Sequence, residues 1–195
     1  MGKVVVSEFI TLDGVVEDPG GAEDFDRGGW AFNFDRGPEG DTFKLDEVMA
    51  SEALLLGRVT YEGFASAWPS RTDEVGFADK FNSMPKYVVS TTLEDPEWNN
   101  STVIGGDVAE AVAALKREVD GDILVNGSVQ LVRTLMEHDL VDKYRLMVFP
   151  TVLGAGKHLF GETSDAAALR LVDAKPAGET LILIYEPGAN EAGDA

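Results

Sequence analysis

The sequence predicts an α/β protein with one central mixed, mostly parallel sheet, helices on both faces and an antiparallel hairpin at its C-terminal end. Three observations carry that expectation. Short apolar runs of strand length, residues 53–56 and 123–125, alternate with segments of helical periodicity such as Val108, Ala111, Val112, Leu115 and Val119. Two alternating segments near the end, 169–174 and 180–185, flank the turn signal Pro176-Ala177-Gly178. No internal repeat or linker divides the 195 residues, a length that suits one well-buried domain over 1–187. Residues 188–195, small or acidic, read as a disordered tail.

Taken in order, residues 3–10 form a first strand, and 11–40 a long irregular segment with seven glycines, two prolines and the aromatics Trp30, Phe32 and Phe34. Loops of that length are uncommon without a task. Asp41 can cap a helix whose apolar face is Leu45, Val48 and Met49. A buried strand at 53–56 leads into a helix that begins near Gly57 and buries Tyr61, Phe64 and Ala65. That helix stops at Trp68-Pro69, because a residue before proline avoids helical geometry. Phe77 and Phe81 mark a short helix, 86–91 and 102–104 two strands, and 143–150 another strand after the helix of Leu131, Leu135 and Met136.

Composition excludes several classes of function. The formal charge is −19, from 35 acidic and 16 basic residues, so the average surface repels nucleic acid and acidic lipid headgroups. No nucleic-acid or membrane partner is expected, and an anionic ligand needs a locally basic or N–H-rich pocket. The absence of cysteine removes disulfides, thiolate nucleophiles and cysteine-based zinc sites. His138 and His158 have no metal-ligand spacing, so no metal is expected. The N-terminal apolar run is too short for a signal sequence or a membrane span and is broken by Glu8, which favours a cytoplasmic location. No G-x-S-x-G elbow supports a nucleophilic triad.

The candidate sites are strand-to-helix junctions, where free backbone N–H groups can meet an anion. At Val125-Asn126-Gly127-Ser128 a buried strand runs into a helix through a glycine that lets a ligand approach the backbone; an ordinary connection is an equal alternative. Gly57-Arg58-Val59-Thr60 repeats the pattern with a guanidinium able to grip a phosphate, the alternative being a capped helix and a surface ion pair. Ser90, Thr91 and Thr92 put hydroxyls at a strand's C-terminal end, where ligands of open α/β sheets bind, the alternative being ordinary turn chemistry. The similar turn Gly105-Gly106-Asp107 is closed to anions, because Asp107 and Glu110 place the chain's own carboxylates at the positive helix end. Ser128, being neutral, leaves the corresponding place open. For acid–base work the candidates are Asp13 and Asp41, each equally readable as a turn or cap residue.

These pieces in this order resemble the dihydrofolate reductase-like superfamily, most closely the reductase domain of riboflavin biosynthesis and its stand-alone bacterial relatives. The matching segments are residues 7–14, 55–61, 85–91, 123–128 and 149–156 with Leu159 and Phe160, which together span nearly the whole chain. The resemblance implies an NADPH site. Gly57, Arg58, Thr60, Ser90 and Thr91 would hold the adenosine side and Asn126, Gly127 and Ser128 the pyrophosphate. The turn at Asp13-Gly14 would flank nicotinamide and substrate. It also implies a homodimer. True dihydrofolate reductases carry a proton-donating carboxylate on the first helix, and Asp41, sixteen residues before Gly57, stands at a distance that suits this role, capping being an equal explanation.

The expected function is therefore hydride transfer from NADPH to a small heterocycle, pyrimidine- or pterin-like, or to a carbonyl compound. The 11–40 segment would hold the substrate, with Gly14, Trp30 and Phe32 lining its site, the alternative being that the aromatic cluster pins the loop to the core. A non-catalytic nucleotide-binding or dimeric interaction protein on the same fold is the alternative.

Overall fold

The computed structural model describes residues 1–161 and 166–188. Eight strands form one sheet. In chain order the elements are β1 (Lys3–Thr11), α1 (Gly37–Ala50), β2 (Ser51–Gly57), α2 (Arg58–Ala67), α3 (Phe77–Ser83), β3 (Lys86–Val89), β4 (Ser101–Ile104), α4 (Val108–Glu118), β5 (Asp122–Val125), α5 (Val129–Glu137), β6 (Lys143–Phe149), β7 (Leu169–Ala177) and β8 (Thr180–Pro187). The strand order is β4-β3-β2-β5-β1-β6-β8-β7. Every pair from β4 to β6 is parallel, while β8 runs antiparallel to β6 and β7. The C-terminal ends of β1, β2, β3 and β5 consequently share one edge, where ligands of such sheets bind.

The parallel strands are apolar on both faces because helices cover both. On one face Val48 of α1, Tyr61 of α2 and Phe81 of α3 pack on Val5, Leu54, Leu56, Val88 and Leu124. On the other, Val112 and Leu115 of α4 and Leu131, Val132 and Leu135 of α5 pack on Val4, Val6, Leu55, Ile123 and Val125. No helix among the described residues is long and apolar enough to cross a membrane.

Two expectations about α1 need correction. The helix begins at Gly37 with Pro38 in its first turn, four residues before Asp41. Proline is pre-organised for that position, since its missing N–H has no intrahelical partner there. Its buried residues are Gly40, Phe43, Glu47 and Val48, while Met49 is exposed. Of the expected apolar face Val48 is buried, but Leu45 is only partly covered and Met49 is exposed, because the inward face carries a glutamate. The strand expected over 86–91 ends at Val89. Of the expected tail, all but Gly188 lies outside the described residues.

Candidate active site

Two glycine turns meet at the sheet edge. The Gly57 N–H donates to the Gly127 carbonyl at 3.2 Å, tying the end of β2 to the end of β5. A Cβ on Gly57 would stand 2.4 Å from Ser128 Oγ, so only glycine fits. Gly127 has φ +93°, and a Cβ there would lie 2.9 Å from Thr60 Oγ1 and 3.8 Å from Glu8 Oε1. Thr60 Oγ1 and Glu8 Oε1 thus both stand beside the bare Gly127 backbone, a close approach for which glycine is suited. Asn126 braces the turn from behind, its Nδ2 donating to the Ser7 carbonyl at 3.1 Å.

Ser128 does not leave the head of α5 open as expected. It is the N-cap, with Oγ 3.5 Å from the Leu131 N–H. The contrast with α4 survives in charge. Asp107 accepts from the Glu110 N–H at 3.0 Å and brings a carboxylate to that helix end, whereas a neutral hydroxyl caps α5. Arg58 opens α2 and is held in a surface pair with Glu62, two contacts at 2.9 and 3.0 Å. Ser90 Oγ accepts from the N–H groups of Thr92 and Leu93, which is turn chemistry; Thr91 is exposed beside it.

The candidate catalytic carboxylates prove to be elsewhere engaged. Asp41 is exposed on the outer face of α1 and pairs with Arg36 at 2.6 Å. Helical phase explains this: the inward positions are 40, 43 and 47, so the sixteen-residue count selects a neighbour that points away. Asp13 accepts from Thr11 Oγ1 at 2.6 Å and from the N–H groups of Leu153 and Gly154 at 3.2 and 2.7 Å. The Thr11 hydroxyl, then the two N–H groups, hold its carboxyl down to about 2. It anchors one loop to another and has no proton to give at neutral pH. Gly14, at φ +83°, supports the same turn by accepting from the Leu159 N–H at 3.0 Å.

Trp30 is corrected as a substrate-stacking surface. It is 3% exposed, donates from Nε1 to the Glu17 carbonyl and packs edge-on against Phe149 at 5.4 Å, so it pins the long loop to the core. Phe32 is 80% exposed.

The sequence reading missed a charged cluster between β1, α1 and β6. Lys44 Nζ donates to Ser7 Oγ at 2.7 Å, Ser7 Oγ donates to Glu47 Oε1 at 2.8 Å, and Lys44 also pairs directly with Glu47. Arg145 Nε stands 3.0 Å from Glu47 Oε2, outside hydrogen-bond angles, with its guanidinium 4.3 Å from the Phe43 ring centroid. Glu47, 2% exposed, therefore lies between two cations. Arg145 also lines a cavity of about 420 Å³ with Phe43, Lys175 and Ile184, between α1 and the antiparallel end of the sheet. Glu8 differs: its Oε1 is shielded from solvent and has no hydrogen-bond partner among the described residues. Burial pushes its carboxyl up to about 8, Lys44 opposing and Glu47 and Glu23 adding to the rise. The available signals were Ser7-Glu8 inside an apolar strand and Arg145 inside another.

Fold and edge together define a dihydrofolate reductase-like α/β protein. Dihydrofolate reductase from Enterococcus faecalis, solved with NADP(H), superposes with a TM-score of 0.56 at 16% identity, covering 95% of this chain and 96% of that one. A protein of Shewanella sp. PV-4 named for riboflavin biosynthesis superposes with a TM-score of 0.75 at 20% identity, covering 95% and 99%. The chain belongs to the RibD C-terminal domain family, whose model matches residues 2–183. Within the curated proteins it is 28% identical over 183 residues to YwjB of Bacillus subtilis (strain 168), an uncharacterized protein, covering 94% of this chain and 97% of that one.

Proposed function

We propose that the chain is an NADPH-dependent reductase that passes hydride to a small heterocycle, pyrimidine- or pterin-like, or to a carbonyl compound. The single observation carrying this reading is the junction of two glycine turns at the sheet edge. Side-chain-free backbone at Gly57 and Gly127 meets a neutral helix cap there, within a family of reductase fold. A bound dinucleotide supplies the hydride, and the protein supplies position and field.

The residues fit such a group. Gly127 and the head of α5, capped only by the neutral Ser128 hydroxyl at 3.5 Å, offer backbone N–H groups and a positive helix end to a pyrophosphate. Thr60 adds a hydroxyl, and Arg58 a guanidinium that must first leave Glu62. In a chain of charge −19 that guanidinium is the local attraction an anionic cofactor needs. Ser90 and Thr91 lie along the same edge for the adenosine side, and the exposed Phe32 is free to cover a planar substrate.

Titration with NADPH and NADH, read by fluorescence, tests the cofactor. Saturable binding is expected for NADPH, and no binding of either sinks the reading. Replacing Arg58 with alanine should weaken NADPH about tenfold more than NADH, from the loss of a charged phosphate contact; equal losses count against that role. Pyrimidine, pterin, flavin and quinone acceptors are then screened for loss of the reduced cofactor's absorbance, and no oxidation with any of them favours a non-catalytic nucleotide binder. The family reading extends to a homodimer, checked by light scattering.

A further inference from the structure

Glu8 lacks the partners that a structural carboxylate collects. Glu47, more deeply enclosed, is met by Lys44, Ser7 and Arg145. Glu8 Oε1 is shielded and unpartnered, and it stands 3.8 Å from where a Cβ on Gly127 would lie, a point that Thr60 Oγ1 approaches to 2.9 Å. Buried polar atoms are nearly always satisfied, because leaving one unpaired costs as much as a lost hydrogen bond. An orphan carboxyl at the sheet edge therefore needs a ligand or a proton to account for it.

We infer that Glu8 is the proton donor of the reaction, serving a substrate slot beside Gly127 and Thr60, with Lys44 and Glu47 as its charged neighbours. This rests on the reductase reading above. The charged groups around it are Lys44 and Glu47 from α1, with Arg145 of β6 on Glu47's far side, and Glu23 from the long loop. Desolvation and two carboxylates keep Glu8 protonated near neutral pH, as a general acid requires. In the step, hydride from the reduced nicotinamide forms a C–H bond at the carbon of a C=N or C=O group. The π pair moves to the heteroatom, which takes the proton from Glu8. The substrate gains two electrons and two hydrogens, the cofactor leaves oxidised, and the Glu8 carboxylate, favoured by the Lys44 charge, regains its proton from water.

The test uses the whole chain and three readouts: NADPH affinity by fluorescence, the Glu8 carboxyl titration by carbon NMR, and the pH profile of kcat with an acceptor found in the screen. The Glu8 resonance is identified as the one lost in Glu8→Gln. It should titrate near 8, as its surroundings dictate. In Glu8→Gln, NADPH should still bind, while kcat falls about 10²- to 10⁴-fold and the loss of rate toward high pH disappears. Lys44→Met removes a charge that favours the carboxylate, so the NMR midpoint and the basic limb of kcat should both move up. A Glu8 midpoint in the ordinary carboxylate range overturns the inference. So does a Glu8→Gln enzyme that binds NADPH and keeps the wild-type rate and basic limb. A wild-type chain that binds no NADPH, or reduces no acceptor, overturns the reductase reading instead and the role of Glu8 with it.

Discussion

Glu8 and Asp13 stand on one strand and the turn that follows it, and their surroundings push them in opposite directions. Asp13 lies at the rim, where Thr11, Leu153 and Gly154 donate to it, and its carboxyl is held down to about 2. Glu8 lies at the inner edge of the sheet, where nothing donates to Oε1, and its carboxyl is pushed up to about 8. Hydrogen bonds to the charged form and burial without them are the two opposed ways of moving a carboxyl pKa. The teaching is that an acidic residue in a turn motif is not thereby the acid of the reaction. What matters is which carboxyl keeps a proton and stands beside Gly127.

The comparison can be broken most severely through Glu47. Glu47→Leu leaves Lys44 and Arg145 without their shared buried partner, and should cost about 3–5 kcal/mol in urea unfolding. It also removes a charge that raises Glu8, so the Glu8 midpoint should fall toward the behaviour of Asp13. An unchanged midpoint would mean that Glu47 is electrostatically remote from Glu8.

Asp13→Asn attacks the other side. Its amide keeps one acceptor oxygen and loses the charge, so the loop anchor should weaken by about 1 kcal/mol after allowance for solvent screening. Turnover should keep its basic limb. Loss of that limb in Asp13→Asn, with Glu8 intact, would reverse the two roles.

The pH dependence of stability separates the pair by sign. Asp13 has a depressed pKa, so its contribution is present above the ordinary value of 3.8 and is lost as pH falls toward about 2. Glu8 has a raised pKa, so folding is favoured by its proton below 4.5 and that advantage is lost as pH rises through about 8. Thermal unfolding of Glu8→Gln should accordingly show a flatter decline between about pH 5 and 8 than the wild type. An identical decline would contradict the burial assigned to Glu8. The smallest effect is expected at Asp41: removing an exposed partner of Arg36 by Asp41→Ala should change stability by about 0.5 kcal/mol or less and leave turnover alone.

Legibility in the sequence followed the physics of each segment. Strands buried on both faces, such as Ala53 to Leu56, and the helix of Val112 and Leu115 declare themselves by period, and the order of elements was readable to the final hairpin. The glycine turns were readable as turns, since Gly57 and Gly127 stand at the strand ends expected. The acid–base machinery was not. Lys44, Glu47 and Arg145 come from two elements, and their mutual neutralisation is a tertiary fact that no local spacing announces. The error at Asp41 arose from helical phase, where one position turns a side chain through about 100° and from cleft to solvent. At Trp30 the sequence left two readings open, because aromatic residues in a long loop serve as readily to fasten it as to bind, and the packing on Phe149 selects the first.

The position of β1 has a consequence for how the chain comes to be folded. β1 is synthesised before both strands that flank it, β5 and β6, with Lys3 opposite Asp122 and Ser7 opposite Arg145. Until those later strands exist it has no parallel neighbour, and closing such distant pairings is slow because the loop entropy is lost before the contacts form. A nascent chain cut short before β6 would carry Ser7 and Glu8 unshielded. The proposed slot would therefore be among the last features to form, and nucleotide capture would itself report that synthesis had passed residue 149.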